Sequence, residues 1–341
     1  MPDARAIGSL ARADWARLRQ RLAQYSSADT KRALLQLVTT ALPLLASAAA
    51  LLYGLAHGIW LTAFFGLPAA LFMVRLFIIQ HDCGHGSFFK SRRANNVLGL
   101  ILSLLTLIPY DFWRRDHAIH HATSGNLDRR GNGDVTTLTV REYLAQSRWR
   151  KLMYRLYRHP LVLLGVGPAY MLLVRYRVPT GESLRSWSDW VSIIGTNLAA
   201  AFGATAMVMT IGPITFMVTW GAVMLLALSI GVWLFYVQHQ FEDAYWEKAD
   251  QWNFHAAALG GSSFYDLPRV LDWFSGSIGF HHIHHLASKI PNYRLRACFN
   301  QVPELQRVNR LTLWGSIKAL GLTLWDEERR RLISFRALAQ K

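Results

Sequence analysis

Two long stretches with no Asp, Glu, Lys or Arg, residues 33–74 and 190–241, set the strongest limit on how this chain can fold. A membrane-crossing helix needs about 20 apolar residues, so each stretch has room for two crossings. Each also holds a natural break, Gly54 to Gly58 in the first and Gly212-Pro213 in the second. Helices satisfy their own backbone hydrogen bonds, as hydrocarbon surroundings require. The expected fold is an all-α integral membrane protein: four transmembrane helices in two hairpins, with a helical cap outside the membrane. The 17% of charged residues agrees with this, being below the roughly 25% usual for soluble domains.

The formal net charge of +16 raises the question of nucleic acid, but its placement argues against such a partner. Neither hairpin tip (His57-Gly58, and residues 211–214) carries Lys or Arg, and every basic cluster lies outside the hairpins. By the positive-inside rule, both termini belong in the cytoplasm. The first 32 residues are polar and basic, and no cleavable secretory signal is read there. Two shorter apolar runs, 94–110 and 160–174, contain or adjoin Gly and Pro and are read as interfacial or re-entrant. Residues 148–158 (RWRKLMYRLYR) have the basic, aromatic and amphipathic character of a helix lying on a membrane. With Arg175-Tyr176-Arg177, they are candidates for holding an anionic headgroup. No repeat or low-complexity linker divides the chain. One domain is expected, with segments 1–32 and 299–341 flanking a core of 33–298.

Nine of the 13 histidines fall in three clusters: His81-Asp82-Cys83-Gly84-His85, His117-Ala118-Ile119-His120-His121 and His281-His282-Ile283-His284-His285. Residues at i, i+3 and i+4 share one helix face, so each cluster can aim its rings at a single point. Imidazole suits iron, copper or zinc. Eight or nine such ligands are too many for one ion and about right for two. Two cysteines, Cys83 and Cys298, are too few for an iron–sulfur cluster or a disulfide framework. His239 stands alone at the end of the fourth helix, at the depth of the clusters. His282 sits between the i and i+3 positions of its cluster and is expected to face a different partner. Ligating histidines usually donate their other N–H to a carboxylate or carbonyl. Asp82, Asp116, Asp128, Glu242 and Asp243 are near enough in sequence to serve. Arg114, Arg115, Arg129 and Arg130 are candidates for meeting a lipid phosphate or a redox partner.

The stretches HDCGHGSFF (81–89), FWRRDHAIHHATSGNLDRRGNGDV (112–135) and GFHHIHHLASKIPNYRL (279–295) resemble the membrane fatty acid desaturase superfamily, and its omega-6, or Δ12-type, acyl-lipid branch most of all. The resemblance covers about residues 80–298. It implies two non-haem iron ions, held by His81, His85, His117, His120, His121, His239, His281, His284 and His285. It also implies O2-dependent insertion of a cis double bond into the acyl chain of a membrane lipid, with a ferredoxin or cytochrome b5-like electron donor, in a bacterial inner membrane. A hydroxylase of the same superfamily, acting on a lipid or hydrocarbon, is the alternative. Members with a stearoyl-CoA-type pattern carry an Asn one turn before the isolated histidine, where this chain has Phe235.

Overall fold

The computed structural model describes residues 12–131, 134–178 and 186–340. An N-terminal helix, α1 (Arg12–Ala23), leads to α2 (Thr30–Ala56). The Asp29 carboxylate caps α2, accepting from the backbone N–H groups of Lys31 (3.0 Å) and Arg32 (3.2 Å). A tight tip returns the chain through a 3₁₀ turn, Trp60–Phe65, into α3 (Gly66–His85). Gly54 is required at this tip, because a Cβ there would sit 2.1 Å from the Thr62 side chain.

Next come α4 (Arg92–Thr106) and α5 (Tyr110–Thr123), bent by 103° relative to each other. The amphipathic α6 (Arg148–Tyr157) follows, and then a short apolar helix, Val162–Arg175, containing two π turns. The second hairpin is α7 (Trp187–Ile211) and α8 (Pro213–His239), joined at Gly212 with φ +80°. Among the described residues four helices are therefore long and apolar enough to cross a membrane: α2, α3 counted from Trp60, α7 and α8, with 27, 26, 25 and 27 residues. Both hairpins turn at the breaks expected from sequence.

The bend between α4 and α5 leaves backbone groups without helical partners at a buried place, and side chains of α3 and α4 meet that need. Gln80 Nε2 donates to the Ile108 carbonyl (3.0 Å), and Thr106 Oγ1 donates to Gln80 Oε1 (2.6 Å). The Tyr110 hydroxyl donates to the Cys83 carbonyl (2.8 Å), tying α5 to the end of α3. Buried backbone polar groups left unpaired would cost roughly 1–3 kcal/mol each, so this network is what makes the turn affordable in place of a full crossing. The run 94–110 is thus part of a sharply bent helix pair, and the run 160–174 part of a short helix packed along α8.

The cap contains α9 (Phe254–Gly260), α10 (Arg269–Phe274), α11 (His281–Leu286) and α12 (Asn292–Gln301). Among the described residues, five short strands add to the expected helical cap. In one sheet β1 (Leu138–Thr139) pairs parallel with β4 (Leu324–Asp326), which pairs antiparallel with β5 (Arg331–Ile333); in the other, β2 (Phe264–Asp266) pairs parallel with β3 (Arg310–Thr312). The N-terminal segment joins the cap: Leu18, Leu22 and Tyr25 pack into one apolar cluster with Leu259, Phe280 and Ile283. Arg158, the last residue of the basic 148–158 run, is buried, contrary to the surface role expected for that run. Its guanidinium donates to the Leu322 carbonyl (2.8 Å), Gln240 Oε1 (2.9 Å) and the Thr136 carbonyl (3.1 Å). Trp149 and Leu156 of α6 remain exposed, 65% and 46%, as a membrane-lying face requires.

At Gly99 a Cβ would lie 2.2 Å from the Tyr110 ring. Gly99→Ala should therefore force α4 and α5 apart, an overpacking cost of about 1–3 kcal/mol. The apparent melting temperature in detergent should fall by several degrees. Gly195→Ala, where a Cβ meets nothing within 4 Å, should leave it unchanged or slightly raised.

Candidate metal centre

Four helices deliver the clustered histidines to one place. His81 and His85 occupy the last turn of α3, which Gly86 ends in the left-handed conformation with φ +64°. His117, His120 and His121 lie on α5, His239 is the last residue of α8, and α11 carries the third cluster. α3 and α8 are crossing helices, and the bend before α5 brings the second cluster to the same end of the molecule as the first.

The rings sort into two groups. His81, His85, His117, His121 and His284 form one, and His120, His239, His281 and His285 form the other, with ligand atoms inside each group lying within 4.8 Å of one another. The second group is wholly buried, whereas His85, His117 and His121 of the first are half-buried. Nε2–Nε2 separations are 2.9 Å for His281–His239, 3.0 Å for His284–His121, 3.1 Å for His121–His117 and for His285–His281, and 3.2 Å for His120–His239. Metal–nitrogen bonds of about 2.1 Å place neighbouring ligand nitrogens roughly 3.0–3.4 Å apart in octahedral or tetrahedral geometry. The observed spacings match. His85 Nε2 is buried with no hydrogen-bond partner, a lone pair left for an ion. The donor set fits two metal ions.

Protonation favours the same conclusion. Burial first, and then the neighbouring imidazoles, hold His281, His284 and His285 well below their ordinary pKa. These rings are neutral at pH 7, so metal binding has no proton to displace from them. His282 is also pushed down by burial, to about 4, and faces away, its Nε2 at 3.0 Å from the Leu305 carbonyl. It joins neither group.

The remaining ring nitrogens have partners that fix ring orientation. His81 Nδ1 lies 3.1 Å from Asp82 Oδ1, while Asp82 Oδ2 accepts from the Asn292 backbone N–H (2.7 Å), joining the first cluster to α12. His239 Nδ1 lies 3.1 Å from the Gly261 carbonyl. His120 Nδ1 meets the Asp134 carboxylate. Asp134 was missed in the sequence because a loop returns it to His120 from 14 positions away. Of the carboxylates singled out there, only Asp82 touches a clustered histidine. Asp116 pairs with Arg175, and Asp128 accepts from the Ala249 N–H (2.8 Å). Glu242 pairs with Arg331 (2.8 Å) and, like Asp243, is exposed.

Most of the arginines offered for a phosphate or redox partner are internal bolts. Arg114 pairs with Asp111 (2.8 Å), Arg115 with Asp189 (2.7 Å) and Arg130 with Glu142 (2.5 Å). Arg177 donates to Asn197 Oδ1 (2.9 Å), and Tyr176 is buried. The Phe235 ring lies 5.0 Å from His120 and 5.1 Å from His239, an apolar wall one turn below the second group.

Losing the Asp134 carboxylate should leave His120 free to rotate. Asp134→Asn is expected to weaken metal binding by about 10–100-fold, read as metal retained after dialysis against a graded chelator. Glu242→Gln, at an exposed ion pair, should retain metal like the parent.

The model of the fatty acid desaturase family matches this chain over residues 59–316. A fatty acid desaturase of Bacillus subtilis is 43% identical over 333 residues, covering 94% of this chain and 91% of its own. An sn-1 acyl-lipid omega-3 desaturase (ferredoxin) of Synechocystis sp. is 30% identical over 239 residues, 65% of this chain and 61% of that one. An sn-1 oleoyl-lipid 12-desaturase of the same organism is 27% identical over 234 residues, 67% of this chain and 64% of that one. This chain thus spans under two thirds of both Synechocystis proteins and nearly all of the Bacillus one.

Proposed function

The chain belongs to the membrane fatty acid desaturase family and is an integral membrane oxidoreductase of that kind, and we propose that it is a di-iron enzyme placing a cis double bond, of Δ12 type, in an acyl chain esterified to a membrane lipid. The observation that carries this reading is the convergence of nine imidazoles into two groups, gathered at the ends of the apolar helices α3 and α8. His81, His85, His117, His121 and His284 would hold one iron; His120, His239, His281 and His285 would hold the other. Bound there, iron supplies the activation of O2 for breaking unactivated C–H bonds. The balance is fixed by the reactants. O2 takes up four electrons and four protons to give two waters. Two of each come from adjacent CH2 groups, two electrons come from a carrier, and two protons come from solvent.

The protein's own residues shape the place where this happens. Asp82 and Asp134 fix the His81 and His120 rings through Nδ1, which would keep Nε2 free for the ions. Phe235 presents an apolar surface beside the second group, where hydrocarbon is stabilised and water is not. The acyl-lipid and Δ12 assignments draw support from the box sequences and from the two Synechocystis relatives, whose names state acyl-lipid and oleoyl-lipid substrates. The first of these, whose name states ferredoxin, supports a ferredoxin-type donor. The distribution of Lys and Arg supports cytoplasmic termini and active site in a bacterial inner membrane, with the chain forming one desaturase domain around a core of 33–298.

Expression in a bacterium of defined lipid composition, followed by mass analysis of its fatty acids, tests the reaction. Loss of two hydrogens with a double bond at Δ12 is expected; gain of one oxygen would move the enzyme to the hydroxylase alternative. Oleoyl-phospholipid and oleoyl-CoA offered side by side to purified enzyme should show turnover of the phospholipid, and turnover of the thioester alone would reject the acyl-lipid reading. His120→Ala and His284→Ala should each abolish product and lower bound iron while the protein stays in the membrane.

A further inference from the structure

An open groove of about 350 Å³ lies outside the metal centre, between α1 and the segment that follows the third histidine cluster. Its walls are Trp15, Arg19 and Leu22 on α1, with His255, Leu286 and Lys289 opposite. Trp15 and His255 are stacked at 4.0 Å between ring centroids. Arg19 and Lys289 are exposed, and none of the described lining residues is a carboxylate. Lys289 also reaches the metal centre, donating through Nζ to the His85 carbonyl (2.6 Å). Leu286 directly follows His285 in the chain.

A second, independent asymmetry points the same way. The group reached from this groove is the one with half-buried members, His85, His117 and His121, whereas all four members of the other are buried. Electrons delivered from outside have their shortest entry where imidazoles approach the surface. The rim there is cationic and the floor is partly apolar. Transient electron-transfer complexes are small, burying less than about 1,200 Å² in total, and owe their on-rates to complementary charge. A groove of this kind suits an acidic protein carrier that docks, reduces and leaves.

We propose that the groove between α1 and residues 286–289 is the docking site of an acidic iron–sulfur carrier protein, which delivers electrons to the first histidine group beside His85. This rests on the desaturase reading for the need of a carrier. Two reduced one-electron carriers are oxidised in each turnover, giving the two electrons required. α1 is then part of the reaction apparatus as well as a prop for the cap, with Arg19 steering the partner.

The test uses full-length, iron-loaded enzyme in lipid nanodiscs and a purified acidic [2Fe–2S] ferredoxin. Arg19→Glu is the principal variant because Arg19 has no contact with the histidine groups. Its affinity for ferredoxin, measured by direct binding, should fall about fivefold or more, and its KM for ferredoxin should rise by a similar factor. The salt dependence of binding should flatten. Arg19→Lys should restore both, while iron content and product from a single turnover after anaerobic reduction with dithionite should stay at the parent value. Lys289→Gln gives a second reading, interpreted against its iron content. Unchanged ferredoxin affinity in Arg19→Glu overturns the proposal, as does equal loss with ferredoxin and dithionite. Weaker binding to phosphatidylglycerol vesicles with ferredoxin binding intact would assign the groove to lipid and overturn it too. Absence of product from the parent with either reductant would count against the desaturase reading, leaving the binding result to judge the groove.

Discussion

Nine imidazoles in two groups, with ligand nitrogens within 4.8 Å of one another in each, are stable only if they are neutral and if something is shared between their lone pairs. Two facing lone pairs repel, and protonating several rings together in a buried site would bring like charges into a low dielectric, where their repulsion is strong. Burial resolves the first issue by keeping His281, His284 and His285 far below their normal pKa. Divalent cations bound between the rings would resolve the second. Neutral ligands also leave the positive charge of the ions uncancelled, and Asp82 and Asp134 place carboxylates behind His81 and His120 to offset it.

That requirement governs the membrane part as well. Four separate helices must end at one level, and a helix rises only about 1.5 Å per residue. An ordinary crossing between the first and second clusters would carry His117, His120 and His121 to the far side. The 103° bend between α4 and α5 prevents this, and the hydrogen bonds of Gln80, Thr106 and Tyr110 make the bend tolerable. Gly99 belongs to the same device, since only the missing Cβ lets the Tyr110 ring lie against α4.

Local features of the sequence carried most of this. Charge-free runs, glycine breaks and the i, i+3, i+4 spacing of histidines depend on neighbours along the chain, and all of them reappear in the fold. His239 was legible because its helix and depth were legible. Contacts made by loops were not. Asp82 sits beside His81 and could be proposed, whereas Asp134 reaches His120 only through the path of a glycine-rich loop, and Asp116, equally close in sequence, faces Arg175 instead. The arginines misled for a related reason. A surplus of positive charge suggests partners outside the protein, but Arg115 and Arg158 spend hydrogen bonds on distant parts of the same chain, and Arg130 on its own loop and Glu142. Composition reports how many charges exist and is silent on which carbonyl or carboxylate each will find.

The scattering of ligands along the chain has a consequence for how the protein is made. His121 and His284 lie 163 positions apart, and the helices bearing the earlier histidines emerge from the ribosome long before α11. Neither metal group is complete until His284 and His285 have been synthesised, by which time α2, α3, α7 and α8 have all left the ribosome. Metal binding can stabilise only a state in which the ligands are already assembled. A metal held by these groups would therefore be the final component to arrive, acting as a clasp on a bundle whose membrane course has been settled without it. A nascent chain stopped before residue 281 would carry well-formed helices and six of the nine grouped histidines, with no complete centre in which to close them.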